Sequence, residues 1–401
     1  MPDASQAPRR IVVVVIDSFG IGALPDAAGY GDAGADTAGS AALARPGGPA
    51  WPNLLRLGLA KAGGLTGSRV ATVDSPDTPE AAWGVMAGAS PGKDTTTGHW
   101  ELAGLILDQP LHIFPSQEPS FPPELLEPLG EQYGCGFLGN CGASGTEIIN
   151  RLGADHLKSG DPIVYTSADS VFQVAAHEAV WPVENLYAFC RDARKRCDAL
   201  RVGRVIARPF EGEPGAFTRT PRRKDFSMAL PGETLLDRLS AAGVNTIGVG
   251  KIGDIFNGRG LKTSHPDKGN PACLERLDDL LAQPAAGPEF VFVNLVDTDM
   301  VYGHRRDPQG YQDAVSAIDG RIPGWLAALE PQDRLVLTAD HGCDPGWRGS
   351  DHTREYVPLL VAGPGVAPVE LGTRATFADL AAAVGQVFGL PASGPGTAFE
   401  L

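Results

Sequence analysis

Acidic and imidazole side chains recur in a few short stretches of this sequence, in a pattern that suits binding of divalent cations. The stretches include Asp-Met-Val-Tyr-Gly-His, an adjacent Asp-His pair and Ser-Asp-His-Thr-Arg-Glu-Tyr. The six candidate ligands are Asp17, Asp299, His304, Asp340, His341 and His352. Carboxylate oxygens mixed with imidazole nitrogens suit Mn²⁺, Zn²⁺ or Mg²⁺, and the lack of cysteine in the set argues against a thiolate zinc site.

The carboxylates stand directly after short apolar runs that have the composition of buried strands. Asp17 follows Ile11–Ile16, Asp297 and Asp299 follow Phe290–Val296, and Asp340 follows Arg334–Thr338. In open α/β sheets the carboxyl ends of the strands form the ligand crevice. One aspartate at such a position is usually a helix cap or a turn residue. Several carboxylates at one rim would repel one another, so with histidines nearby they predict a bound cation.

A threonine-rich stretch, Gly92–Glu101, could supply a phosphate loop, a nucleophile or a helix cap. The phosphate-loop pattern fails, because Ala87 stands where it needs glycine and Asp94 stands where it needs Ser or Thr. A hydroxyl nucleophile activated by a metal ion remains open. A threonine-rich helix N-cap explains the same residues equally well.

The stretch Gly248–Gly253 is a literal G-x-G-x-x-G after a predicted strand. A dinucleotide fingerprint must open a helix, and Asp254–Gly260 cannot sustain one, so we reject a nicotinamide site. Lys251 remains a candidate phosphate contact. His99 is undecided, and the remaining histidines are interpreted as surface or structural residues: His112, His156, His177 and His265.

The apolar runs alternate with helix-like stretches, which predicts a doubly wound α/β core with a parallel sheet. The predicted strands are Ile11–Ile16, Val244–Val249, Phe290–Val296, Leu335–Thr338 and Val357–Ala362. The predicted helices are Thr234–Ala242, Leu274–Ala282 and Gln312–Leu329.

Residues 111–231 have a different character and are predicted to form a second, smaller α+β cap domain inserted into the first. This segment opens with the proline-rich stretch Phe114–Pro128 and ends with the basic segment Arg219–Lys224. Its strand candidates are Pro162–Thr166 and Val202–Ala207. The metal-binding catalytic core would then be discontinuous, from residues 1–110 and 232–401. A chain of 401 residues is expected to divide in this way, since single cores rarely exceed about 300 residues.

Composition excludes several classes of function. The formal net charge of −15 argues against a nucleic-acid-binding protein. No apolar run approaches the roughly 18 residues of a membrane helix, and Ile11–Ile16 is too short for an export signal. The six cysteines form no C-x-x-C pair, so we expect reduced thiols and a cytoplasmic location.

Together these stretches resemble the phosphopentomutases, a family of the alkaline phosphatase superfamily. The resemblance rests on Asp17–Gly22, Lys93–Glu101, Asp299–Gly310, Thr338–Gly342 and Asp351–Glu355, with further matches at Ala143–Ile148, Tyr165–Ser170 and Gly203–Phe210. It covers nearly the whole chain. One departure is Cys343, where the family pattern has asparagine after Asp-His-Gly.

The resemblance implies a role for each matched position. Thr95 would be the phosphorylated nucleophile. One Mn²⁺ would be held by Asp17, Asp340, His341 and Thr95, and a second by Asp299, His304 and His352. The substrate-facing residues would be Asp169, Arg208, Arg219 and Lys251.

The implied activity is that of an isomerase acting on small pentose phosphates in nucleoside salvage and pentose metabolism. It would interconvert α-D-ribose 1-phosphate, or its 2-deoxy form, with the 5-phosphate, and would need a sugar bisphosphate activator such as glucose 1,6-bisphosphate or ribose 1,5-bisphosphate. No nucleic acid, membrane or obligate protein partner is expected. A metal-dependent phosphatase or phosphodiesterase of the same superfamily is the alternative. A sulfatase would need C-x-P-x-R, which is absent, and a non-catalytic metal-binding module would not need the hydroxyl of Thr95.

Overall fold

The computed structural model of this protein describes residues 10–167 and 170–401. Over these residues the strands are β1 Arg10–Ile16, β2 Ala82–Met86, β3 Leu138–Gly142, β4 Ile163–Thr166, β5 Val171–His177, β6 Arg204–Glu211, β7 Thr218–Arg219, β8 Lys224–Ser227, β9 Asn245–Val249, β10 Thr263–His265, β11 Glu289–Leu295, β12 Arg334–Thr338, β13 Val357–Ala362 and β14 Glu370–Arg374. The helices are α1 Thr37–Ala42, α2 Pro52–Arg56, α3 Leu59–Thr66, α4 Thr95–Leu102, α5 Pro123–Tyr133, α6 Gly145–Ser159, α7 Val183–Ala199, α8 Leu235–Ala241, α9 Ile252–Ile255, α10 Gly269–Leu281, α11 Pro308–Asp319, α12 Ile322–Ala328 and α13 Ala378–Val387. A π-helical segment, Thr298–Gly303, follows β11.

By their internal contacts the residues form two compact units. The first combines Met1–Gln109 with Pro231–Leu401, and the second is Pro110–Leu230. The first unit is therefore discontinuous in sequence. These bounds differ by one residue from those predicted above.

The first unit is built on an eight-stranded sheet in the order β10-β9-β11-β1-β12-β13-β2-β14. The strand β1 lies between β11 and β12 and is parallel to both. The strand β13 runs antiparallel to β12 and to β2, so the sheet is mixed and the prediction of a parallel sheet is wrong for Val357–Ala362. All six residues of β13 are buried, as its apolar composition predicts. Apolar composition does not encode strand direction.

The prediction of one helix over Gln312–Leu329 is also wrong. The structure has two helices there, α11 and α12, separated at Gly320 and Arg321. Pro323 lies in the first turn of α12, where the missing N–H has no helical partner to lose. In a single helix that continued from α11, Pro323 would lie in the helix interior. There it would remove a backbone hydrogen bond and clash with the carbonyl group of Asp319.

The second unit holds a six-stranded sheet, in which β3, β4, β5, β6 and β7 are neighbours in that order and β8 also pairs with β6. The predicted strands Pro162–Thr166 and Val202–Ala207 correspond to β4 and β6. Its core contains a cluster of buried aromatic rings: Phe114, Phe121, Phe172 and Phe189. The proline-rich stretch therefore contributes apolar rings to a packed core.

Among the described helices of both units, none combines the length and the apolar composition that crossing a bilayer requires.

Candidate active site

The carboxyl ends of three adjacent strands place the acidic residues at one edge of the first unit's sheet. In the parallel register Ile16 of β1 lies opposite Leu295 of β11, and Val15 lies opposite Thr338 of β12. The three strands therefore end at the same level. Asp17 directly follows β1, and Asp340 follows β12 after one residue.

Asp299, His304 and His352 form the first group of candidate metal ligands, with ligand atoms within 4.8 Å of one another. Nε2 of His304 lies 3.4 Å from Oδ2 of Asp299, and Nε2 of His352 lies 3.3 Å from Oδ1. The other ring nitrogen of His304, Nδ1, donates to the carbonyl oxygen of Ser350 at 2.7 Å. That hydrogen bond turns Nε2 toward the carboxylate. The structure thus brings together the three residues of one implied cation site.

Asp17, Asp299 and His341 form a second group with the same 4.8 Å limit. Nε2 of His341 lies 3.5 Å from Oδ1 of Asp17 and 3.4 Å from Oδ2 of Asp340. Oγ1 of Thr95 lies 3.2 Å from the same nitrogen. The four residues implied for the other cation are therefore adjacent. Asp299 belongs to both groups, which the sequence did not indicate.

Several polar atoms of these groups have no hydrogen-bond partner in the described part of the chain. Among residues 10–167 and 170–401, four buried atoms here lack one: Oδ1 of Asp17, Oδ1 of Asp299, Oδ2 of Asp340 and Nε2 of His352. Leaving a buried polar group unpaired costs roughly 1–3 kcal/mol, and more for a charged one. A divalent cation would satisfy several of them at once, and a set of carboxylates and imidazoles suits Mn²⁺, Zn²⁺ or Mg²⁺. The residues present therefore fit a metal centre.

Mutual charge effects are strong in this cluster. Burial, together with the carboxylates of Asp340 and Asp299, raises the pKa of Asp17 well above its usual value. Burial alone would also raise the pKa of Asp299, but the charges and hydrogen bonds of His352 and His304 outweigh it and hold that pKa well below its usual value. Burial lowers the pKa of His352, yet Asp299 opposes it and raises the pKa to about 10. Crowded carboxylates of this kind are stabilised by positive charge.

Thr95 is the first residue of α4, and Asp94 caps that helix. Oδ1 of Asp94 accepts from the backbone N–H of Thr97 at 3.0 Å, and Oδ2 accepts from the Thr97 hydroxyl at 2.6 Å. Aspartate is among the preferred N-cap residues because it satisfies free N–H groups of the first turn. The interpretation of the stretch as a threonine N-cap is therefore wrong, since no threonine occupies the cap position. Asp94 is the cap, and Thr95 presents its hydroxyl to His341.

Comparison with known proteins agrees with this geometry. The sequence model of the Metalloenzyme superfamily matches residues 9–392. A phosphopentomutase of Anaeromyxobacter sp. (strain K) is 53% identical over 392 residues, covering 98% of each chain. A phosphopentomutase of Methylorubrum extorquens is 51% identical over 406 residues, covering 97% of this chain and all of the relative.

The chain belongs to the phosphopentomutase family.

A more distant solved structure, the PH0037 protein from Pyrococcus horikoshii, shares the fold of this family member. Its TM-score is 0.50 at 14% identity, covering 96% of this chain and 99% of that chain. Together with the Metalloenzyme superfamily match over residues 9–392, this likeness confirms the predicted superfamily fold.

Two of the residues that the phosphopentomutase pattern assigns to substrate, Arg208 and Arg219, lie in the second unit near Tyr165. Nε and Nη2 of Arg208 donate to Oε1 of Gln173 at 3.2 and 3.0 Å. Burial lowers the pKa of Arg208, and the nearby Arg219 adds to this effect. Among the residues that the structure describes, the buried hydroxyl of Tyr165 and Nε of Arg219 have no hydrogen-bond partner. Tyr165 and Gln173 are contacts that spacing alone could not reveal.

The other two residues of the phosphopentomutase substrate pattern are Lys251 and Asp169. Lys251 is half-buried and directly precedes α9 in the first unit. Its charge partly opposes the rise in the pKa of Asp17. The last two residues of the motif Gly248–Gly253 begin that single helical turn, which ends at Ile255. Asp169 lies outside the described residues.

Two further side chains near the sheet edge, those of Asp297 and Cys343, belong to neither group of candidate metal ligands. Asp297 turns away from both ligand groups, since its Oδ2 accepts from the backbone N–H of Asn270 at 2.8 Å at the start of α10. Cys343 is buried, with Sγ 4.0 Å from Nδ1 of His304, and it is a free thiol like the other five cysteines. Its sulfur belongs to neither ligand group.

Proposed function

We propose that this phosphopentomutase family member interconverts α-D-ribose 1-phosphate, or its 2-deoxy form, with the 5-phosphate through phosphorylated Thr95. The observation that carries the proposal is the 3.2 Å contact between Oγ1 of Thr95 and Nε2 of His341, inside the cluster of carboxylates and imidazoles. The 53% identity to a phosphopentomutase over almost the whole chain supports the substrate class.

The two overlapping ligand groups support two divalent cations per chain, which we propose to be Mn²⁺. The first cation would be held by Asp17, Asp340, His341 and Thr95, and the second by Asp299, His304 and His352. Cations held by these residues would neutralise charge on a phosphoryl group during its transfer. The preference for manganese rests on the oxygen and nitrogen donors alone.

The reaction that we propose has two transfers. The phosphoryl group of phospho-Thr95 moves to O1 of ribose 5-phosphate, so the P–Oγ1 bond breaks, a P–O1 bond forms and the O1 proton passes to Oγ1 of Thr95. The resulting 1,5-bisphosphate then returns its 5-phosphoryl group to Thr95. The P–O5 bond breaks, a P–Oγ1 bond forms and the Oγ1 proton passes to O5, which leaves ribose 1-phosphate. A catalytic amount of ribose 1,5-bisphosphate or glucose 1,6-bisphosphate would phosphorylate enzyme that had lost its phosphoryl group.

The positive side chains of each unit support recognition of a sugar phosphate. We assign phosphate contacts to Arg208 and Arg219, whose guanidinium groups can form paired hydrogen bonds with phosphate oxygens. Lys251 would add a point charge, and Asp169 would accept from sugar hydroxyls. Arg222, by contrast, is paired with Glu178, and Arg223 is paired with Asp225.

The deciding experiment measures ribose 5-phosphate formed from ribose 1-phosphate with Mn²⁺ and a trace of glucose 1,6-bisphosphate, while inorganic phosphate is monitored in the same sample. A mutase forms the isomer and releases little phosphate. Release of phosphate as fast as isomerisation would favour a metal-dependent phosphatase instead.

The variant Arg208→Ala separates the two activities further. It should reduce isomerisation far more than hydrolysis of a small aryl phosphate, which has no sugar phosphate to hold. The exposed Arg222→Ala is the matched control in the same unit, and it should leave both activities close to wild type. Equal losses of both activities in Arg208→Ala would contradict the assignment.

The wider setting is also a proposal. The activity would serve nucleoside salvage and pentose metabolism in the cytoplasm, with small pentose phosphates as the partners. The chain has 48 acidic residues against 33 basic ones, and this excess of negative charge argues against a nucleic-acid partner. No membrane or obligate protein partner is proposed.

A further inference from the structure

The helix that carries Thr95 approaches the Asp340 segment unusually closely. A Cβ atom at Gly98 would lie 2.1 Å from the carbonyl oxygen of Asp340 and 2.8 Å from its Cβ, so only glycine fits there. The next residue, His99, is fully buried. His99 lies one turn after Thr95 and therefore on the same face of α4.

The imidazole of His99 lies between Thr95, Asp340 and Asn294. Its Nδ1 hydrogen-bonds to the carbonyl oxygen of Thr95 at 2.9 Å and lies 3.0 Å from Oδ2 of Asp340, a close contact without hydrogen-bond geometry. Its Nε2 is 3.3 Å from Nδ2 of Asn294, and the same Nδ2 donates to Oδ2 of Asp17 at 2.8 Å. A chain of polar contacts thus runs from the carboxylate of Asp340 through His99 and Asn294 to the carboxylate of Asp17.

The donors and acceptors of this chain fix its proton positions. A backbone carbonyl can only accept, so Nδ1 of His99 must carry hydrogen to bond to Thr95. Asp17 only accepts when it is ionised, as it is when it holds a cation, and the Asn294 atom facing it is then its amide nitrogen. That nitrogen presents its second N–H to Nε2 of His99, which must then be unprotonated. With Asp17 ionised, a single placement of the hydrogens on His99 and Asn294 satisfies all of these contacts.

We propose that His99 and Asn294 are positioning residues of this site, in which His99 is the neutral Nδ1–H tautomer. His99 holds the backbone of Thr95 by a hydrogen bond and lies against Asp340, and Asn294 orients Asp17. The carboxylate oxygens that make no hydrogen bond then remain available to the bound cations. The role in cation binding rests on the proposed function. The tautomer rests on the hydrogen-bond geometry with Asp17 ionised.

Metal affinity tests the positioning role without a measurement of turnover. Outer hydrogen-bond partners of metal ligands typically contribute 10–100-fold to affinity. We expect His99→Ala and Asn294→Ala each to weaken Mn²⁺ binding by about 10-fold or more in calorimetric titration. The double variant should weaken it little more than the worse single variant, because one chain of contacts is broken in each case.

Two further variants separate positioning from packing. His99→Asn places an amide N–H near the position of Nδ1, so it should recover much of the affinity lost in His99→Ala. His156→Asn is the matched control, since His156 is equally buried but lies in the second unit, and it should bind Mn²⁺ like wild type. Wild-type affinity in folded His99→Ala and Asn294→Ala would overturn the positioning role.

Nitrogen chemical shifts of the unmutated protein test the tautomer even if the alanine variants fail to fold. With ¹⁵N-labelled histidine, the signals missing from His99→Asn identify His99. We expect a protonated, pyrrole-type Nδ1 and an unprotonated, pyridine-type Nε2. The reverse tautomer or a doubly protonated ring would overturn the inference. Wild-type protein that binds no Mn²⁺ would instead refute the proposed function and leave the tautomer result standing.

Discussion

Nη1 of Arg354 donates to the carbonyl oxygen of Gly92 at 2.6 Å, which ties the loop before Thr95 to the segment that carries His352. The same guanidinium donates to the carbonyl oxygens of Ser90 at 2.9 Å and Gly88 at 2.7 Å. Arg354 therefore bonds three carbonyl groups of one loop from a buried position. Because Thr95 follows this loop, its hydroxyl is placed by Arg354 as well as by α4.

Replacing Arg354 by lysine should lower the rate of phosphoryl transfer at least tenfold. A lysine ammonium is a single point of charge and cannot reach three carbonyl groups spread along a loop. The lost bonds should also reduce the free energy of unfolding by about 2–3 kcal/mol. Turnover and urea unfolding would be measured together. Arg348→Lys, at an exposed arginine with one carbonyl contact, should change neither, and a fully active Arg354→Lys would contradict the role.

Replacing Thr95 by alanine should abolish turnover and leave the fold and most of the metal binding intact. The Thr95 hydroxyl faces His341, whereas the Thr97 hydroxyl is taken up by Asp94. Mass spectrometry after exposure to glucose 1,6-bisphosphate should place one phosphate on Thr95. Thr96→Ala is the neighbouring control and should still be phosphorylated. Phosphate found on Thr96 or Thr97 would show that the wrong hydroxyl has been assigned.

Asp299→Asn should weaken the binding of both cations, since Asp299 is the carboxylate common to the two ligand groups. Metal analysis after dialysis should then find well under two ions per chain, with activity lost in parallel. Asp297→Asn offers a close control, because Asp297 follows the same strand but bonds to Asn270. If Asp299→Asn keeps a full complement of metal, or if wild type stays active in excess chelator, the two-cation site is refuted.

The second unit should lose stability in acid because of His156. Burial lowers the pKa of His156 from 6.5, and its two nitrogens bond to the carbonyl oxygen of Asp161 and the backbone N–H of His177. The unfolded chain therefore takes up a proton near pH 6.5 that the folded unit takes up only at lower pH. Stability falls as pH drops below 6.5, by at most about 1.4 kcal/mol per pH unit, until the folded pKa is passed.

Hydrogen exchange in peptides of β5 and α6 at several pH values would measure this loss. His156→Gln should flatten the dependence, whereas His112→Gln, at an exposed position, should not. An unchanged slope in His156→Gln would contradict the assignment.

The sequence by itself determined the residue types of the candidate ligands and most of the strands that position them. Asp17, Asp299 and Asp340 follow apolar runs, and a parallel arrangement of neighbouring strands is enough to bring such residues to one edge. Local chemistry also determined the start of α4, because Asp94 satisfies its first turn with its own side chain. These features depend on neighbours in sequence, which is why spacing reveals them.

Only the tertiary structure decided which side chains from distant parts of the sequence lie in contact. Asp297 and Asp299 are two residues apart, yet one caps α10 and the other joins two ligand groups, because the π-helical segment after β11 turns them in different directions. His99 could not be assigned from sequence, since its partner Asn294 lies 195 residues away. Contacts of this kind arise only when β11 and α4 pack together, and no local pattern encodes that packing.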